Sequence, residues 1–104
     1  MTTLAEVQQE VKRQLLRDCG EQEAFKVRTC MFLGLAEEAG EVAGLMKRVY
    51  RGLEKDKERA TQENFIDEMG DVLWYLTACC VMTNTSLEEL WEHNKKKLEE
   101  RYGA

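Results

Sequence analysis

The chain contains no proline and a single histidine, His93. Without proline, nothing in it locks φ or removes a backbone donor, so long uninterrupted helices are permitted. One histidine excludes a multi-histidine metal centre. It also argues against a di-iron bundle, which needs Glu-x-x-His pairs, because Leu90 stands at that spacing before His93. The four cysteines, Cys19, Cys30, Cys79 and Cys80, have neither CxxC nor zinc-finger spacing. They read as reduced thiols that behave as small core residues in a cytoplasmic protein. No apolar run is long enough to cross a bilayer: the longest, VLWYLTACCVM (residues 72–82), suits a buried helix segment. The first residues, MTTLAEVQQEVKRQ, are charged and amphipathic rather than signal-like, so no membrane role is expected. Cationic excess is lacking too. Twenty acids face 15 bases for a net charge of −5, which excludes a general polyanion-binding surface and makes nucleic acid a poor partner.

What is present points to one all-α domain spanning residues 1–104. Apolar residues make up 43% and charged residues 34%, with Glu, Lys, Leu and Ala prominent, a composition that favours helices. Four segments are predicted, over about 3–18, 23–50, 61–83 and 86–102. Gly20, Gly52 and Gly103 stand near three of the ends, and Ser86 with Glu89 has the form of a capping box. The second segment shows an apolar stripe of Phe32, Leu35, Ala36, Ala39, Val42, Ala43 and Met46. The third shows one of Phe65, Met69, Val72, Leu73, Leu76 and Cys80. Short connections favour antiparallel neighbours in a four-helix unit. A core this small beside helices this long predicts a second copy of the chain over part of the apolar surface.

Two acidic motifs interrupt these helices. LAEEAGE (residues 35–41) is echoed by IDEMGD (residues 66–71), each with a glycine before its last acid and a valine after it. Like charges one helical turn apart repel by about 0.2–0.5 kcal/mol per pair. Glu37, Glu38, Glu41, Glu68 and Asp71 equal the net charge of the entire chain. Glu38 and Glu41 share a face, as do Glu68 and Asp71, so antiparallel packing brings four or five carboxylates together. An all-oxygen set suits a hard cation, Mg2+ before Mn2+. Gly40 and Gly70 each cost about 1 kcal/mol relative to alanine in a helix interior. Close helix approach, or room for an ion and its ligand, would offset that.

The last helix carries an apolar stripe of Leu87, Leu90, Trp91 and Leu98, with Asn94 in its gap and Lys97 and Arg101 on its edge. An inward amide needs hydrogen-bond partners. Beside an acidic metal cluster, an amide and two cations suit a polyphosphate with its sugar or base. Trp74 and Trp91 read as core aromatics, and His93 and Asp67 as surface. Tyr75, one turn beyond Asp71, suits either the core or a bound base.

EEAGE followed by EMGD, with N-x-x-K-L-x-x-R-Y (Asn94, Lys97, Leu98, Arg101, Tyr102), resembles the MazG-like all-α nucleoside triphosphate pyrophosphohydrolases. That resemblance implies Glu38, Glu41, Glu68 and Asp71 as Mg2+ ligands. It implies Glu37 at a further metal or at the attacking water, with Glu37 and Glu38 the catalytic pair. Tyr75, Asn94, Lys97 and Arg101 would hold the nucleotide. It further implies a helical homodimer or homotetramer, and cleavage of a nucleoside triphosphate to the monophosphate and pyrophosphate, often to clear unwanted nucleotides. The alternative class is a non-catalytic helical oligomer whose acids bind a metal or a protein partner.

Overall fold

Helix α1, Leu4–Cys19, begins where Thr3 and Glu6 cap each other: the Thr3 hydroxyl accepts from the Glu6 amide and the Glu6 carboxylate accepts from the Thr3 amide. Helix α2, Ala24–Arg51, is the longest element. A 3-10 turn at Glu54–Asp56 leads to α3, Gln62–Met82, and then α4, Leu87–Tyr102. The computed structural model describes residues 1–103, and no strand occurs among them. The chain belongs to the all-α class with the four helices read from its sequence. Boundaries differ by a residue or two, as fraying ends do. Ser86 caps α4 by accepting from the Glu89 amide at 3.0 Å. The turn before it places Asn84 at φ 56°, a left-handed position that asparagine tolerates.

Two compact units compose the molecule: Met1–Arg28 with the chain from Thr77 onward, and Thr29–Leu76. The first unit holds most of the buried apolar side chains, Val11, Leu15, Val27, Ala78, Cys79, Cys80 and Leu87. Its α1 and α4 are tied by Gln8, whose amide donates to the Thr85 carbonyl at 2.8 Å and accepts from the Leu87 amide at 3.0 Å. One side chain thus satisfies two backbone groups that the chain reversal would leave unpaired. Cys79 and Cys80 are core residues as the sequence suggests, but Cys30 is exposed and Cys19 only half-buried.

The second unit contains residues 29–51 of α2, the 3-10 turn and residues 62–76 of α3. Its buried positions are Gly34, Leu45 and Asp56. The face that α2 turns inward runs through Met31, Gly34, Leu35, Glu38, Val42, Leu45 and Arg48, each at least half-buried. This corrects the predicted stripe. Phe32, Ala36, Ala39, Ala43 and Met46 are exposed, as are Met69 and Leu73 of the α3 stripe. A continuous apolar band misleads here because α2 carries two adjoining apolar faces, and one chain has enough packing surface to cover only one.

A carboxylate centre and its surroundings

Gly34 meets the ring of Tyr75. A methyl group at position 34 would overlap the Tyr75 ring atoms Cε1, Cδ1 and Cζ, so only glycine lets α3 come this close to α2. One turn further along α2, and one turn back along α3, Glu38 meets Asp71. This register is antiparallel. Of the two readings of the glycines, it corrects close helix approach: an added Cβ at Gly40 or Gly70 meets nothing within 4 Å. Close approach is the work of Gly34, outside either acidic motif. The signal for it was Gly34 itself, a helix-breaking residue inside an apolar segment.

The structure brings together oxygens of Glu38, Glu68 and Asp71, all within 4.8 Å of one another. Glu38 and Glu68 are half-buried and Asp71 is exposed. Ligand oxygens about 2.1 Å from a Mg2+ ion lie at most about 4.2 Å apart, so the trio is nearly at that span. Donor chemistry fits as well, because three carboxylates and no nitrogen or sulfur suit Mg2+ or Mn2+. Glu37 and Glu41 are exposed on α2 and lie outside the trio, yet their charges reach it. Burial pushes the Glu38 carboxyl above its ordinary value of 4.5, and the neighbouring Asp71, Glu68, Glu41 and Glu37 push it the same way. Among the described residues, no lysine or arginine forms an ion pair with these five acids.

The same unit neutralises a different acid fully. Asp56, 5% exposed, accepts from Arg51 Nε and an Arg51 terminal nitrogen at 2.7 Å each, with Arg48 Nε at 4.0 Å. The hydrogen bonds from Arg51 hold its carboxyl below the ordinary range. Asp56 falls between the second and third predicted segments, where the helical pattern assigns no residue a role. Two arginines in the last turn of α2 were the only trace of its clamp.

Tyr75 is half-buried, its ring edge-on to Trp74 with centroids 5.1 Å apart. The other candidate nucleotide contacts, Asn94, Lys97 and Arg101, lie on α4 in the first unit, and all three are exposed. Asn94 therefore does not face the core, and Trp91 beside it is 58% exposed rather than a core aromatic. Beyond Leu87, every residue of α4 is solvent-facing. Its apolar and polar side chains alike are available for contacts. His93 and Asp67 are at the surface as read.

The model of the MazG nucleotide pyrophosphohydrolase domain matches residues 27–103. The chain belongs to the MazG nucleotide pyrophosphohydrolase family. The match covers α2, both acidic motifs, α3 and α4. A curated relative, the Gene 37 protein of Mycobacterium phage L5, is 35% identical over 88 residues, which is 81% of this chain and 71% of the phage protein. No solved structure matches the chain. Among the described residues, no helix of this MazG family member is long and apolar enough to cross a membrane.

Proposed function

We propose that this chain is a Mg2+-dependent nucleoside triphosphate pyrophosphohydrolase, converting a (d)NTP and water to (d)NMP and pyrophosphate. Its role is to remove unwanted nucleotides in the cytoplasm, and the whole chain acts as one catalytic domain. The observation that supports this best is the convergence of Glu38, Glu68 and Asp71, without a compensating cation, in a MazG family member.

Glu38, Glu68 and Asp71 hold the divalent ion, with Glu41 adding charge and a ligand when the site is loaded. When bound, Mg2+ or Mn2+ offsets the negative charge of the triphosphate and of its transition state. Glu37, exposed beside Glu38 but outside the trio, accepts the proton of the attacking water. The water oxygen forms the new P–O bond as the bridging bond of the α–β phosphoanhydride breaks, and pyrophosphate leaves with that electron pair. Lys97 and Arg101 pair with the phosphate oxygens by charge-assisted hydrogen bonds. Asn94 and Tyr75 contact the sugar and base.

The functional form is a homo-oligomer, a dimer or a tetramer. Support comes from the exposed face of α2, where Phe32, Ala36, Ala39, Ala43, Met46 and Tyr50 recur at alternating steps of four and three residues. That period is the seam of packed helices, and its small central residues permit close approach. A second copy provides the matching seam.

The test is incubation of the purified chain with Mg2+ and each ribo- and deoxynucleoside triphosphate in turn, with products identified by chromatography. Monophosphate and pyrophosphate are expected. Diphosphate with orthophosphate, or no turnover of any nucleotide, would overturn the reading.

A further inference from the structure

We propose that Gly34 is a positioning residue for the carboxylate centre: the contact between its backbone and the Tyr75 ring gauges the separation of α2 from α3 one helical turn from Glu38 and Asp71. The proposal rests on the metal-binding reading above. Three observations carry it. Gly34 is buried while Gly40 and Gly70 are exposed, and an added Cβ at any of the open glycines, including Gly44, meets nothing within 4 Å. The Tyr75 ring is flanked by the Gly34 backbone and by the Trp74 ring, so its freedom to step aside is restricted. Finally, Glu38 follows Gly34 and Tyr75 follows Asp71 at i to i+4 spacing, so one turn of each helix transmits any displacement to the acids.

A glycine kept for this reason has an unusual signature. Alanine is the better helix former, so Gly34→Ala should leave helicity intact or raise it, while disturbing the ion site. A glycine kept for flexibility alone would show no effect on ion affinity. Tyr75 contributes as a ring of a given thickness, and its hydroxyl is not needed for the spacing.

The experiment titrates the full-length protein with Mn2+ alone, following free Mn2+ by electron paramagnetic resonance and helicity by circular dichroism. Gly34→Ala is expected to weaken Mn2+ binding about tenfold and Tyr75→Leu about threefold. In the double variant, the smaller side chain accommodates the methyl, so the pair binds no more weakly than Gly34→Ala alone, the non-additivity of residues in contact. Tyr75→Phe should bind like the parent. A Gly34→Ala protein within twofold of the parent would overturn the proposal, as would strictly multiplicative losses in the double variant. If Gly34→Ala fails to fold, Tyr75→Leu against Tyr75→Phe decides: equal affinities refute the gauge. Failure of the parent itself to bind Mn2+ would refute the metal reading and this proposal together, whereas parent binding with an unaffected Gly34→Ala refutes the gauge alone.

Discussion

Asp56 and Glu38 lie in the same compact unit and are both withdrawn from solvent, yet the chain treats them oppositely. Asp56 receives a two-pronged arginine and a second arginine nearby, and its carboxyl is held below the ordinary range. Glu38 lies beside Glu68 and Asp71 and within reach of the charges of Glu37 and Glu41, and burial and repulsion raise its carboxyl. A carboxylate that serves the fold is neutralised by the fold. One that repels its neighbours destabilises the fold and persists because something outside it supplies the positive charge. Arginines stand within the same unit, so leaving Glu38, Glu68 and Asp71 without one is a property of the arrangement rather than a shortage of cations.

The largest expected effect breaks this contrast at the acidic end. Glu38→Gln or Asp71→Asn should lower pyrophosphate release by roughly a thousandfold, since an ion that offsets transition-state charge loses a ligand. Without metal, the same variants should melt no lower than the parent, because each removes a repelling charge. A variant that both loses activity and melts much earlier would mean that the trio is structural. Asp56→Ala is the mirror experiment. It strands Arg51 beside a lost partner and should lower the midpoint of thermal unfolding by roughly 5–10 °C. Arg51→Lys should have a smaller effect in the same direction, because the ammonium keeps the charge but not the paired hydrogen bonds.

Titration sharpens the comparison next. With its folded pKa raised above 4.5, Glu38 binds a proton more tightly in the folded chain than in the unfolded one. The resulting stabilisation is complete below the unfolded pKa and is lost as pH rises through the folded value. Asp56 is depressed from 3.8, so its contribution is present above that value and lost as pH falls through the lower folded one. In metal-free protein, the Glu38 contribution therefore grows as pH falls through its raised folded value towards 4.5, before Asp56 begins to lose its share below 3.8. Mn2+ affinity should move the other way, weakening over the same interval as protons compete for Glu38. Melting curves and Mn2+ titrations at pH 7, 6 and 5 read both slopes. Parallel slopes would refute the assignment of Glu38 to the ion.

Much of this was legible in the residues. The helices follow from composition, caps and terminal glycines, all of which are local signals. The antiparallel meeting of residues 35–41 with residues 66–71 follows from a short connection between long helices. Illegible were features that depend on which of two adjacent faces a helix buries. The stripe through Phe32, Ala39 and Met46 is more apolar than the face through Gly34, Glu38 and Leu45, yet the second is the one packed within the chain. Hydrophobic periodicity ranks faces by polarity and so assigns Glu38 to a border. For the same reason Asn94 was placed inward on a helix whose faces are nearly all exposed. The Asp56 clamp was hidden because nothing in the pattern singles out one of the three acids Glu54, Asp56 and Glu58 in a charged connection.

A third acid completes the series and gives the smallest effect. Hydrogen bonds from Arg13 and then Gln14 lower the Glu10 carboxyl to about 2, yet the Glu10 and Arg13 side chains remain 51% and 59% exposed. If a lowered carboxyl alone measured structural importance, Glu10 would rank beside Asp56. Solvent and salt screen an exposed pair, and ordering two long side chains opposes the attraction. Glu10→Ala should therefore shift the thermal midpoint by less than about 2 °C, and the small difference should shrink further in high salt. Asp56→Ala should keep more of its effect there, because the Asp56 side chain is only 7% exposed, although Arg51 keeps 38%. Equal salt sensitivity of the two variants would show that Asp56 is screened like a surface residue, and the clamp would then lose its standing as the neutralised counterpart of the carboxylate trio.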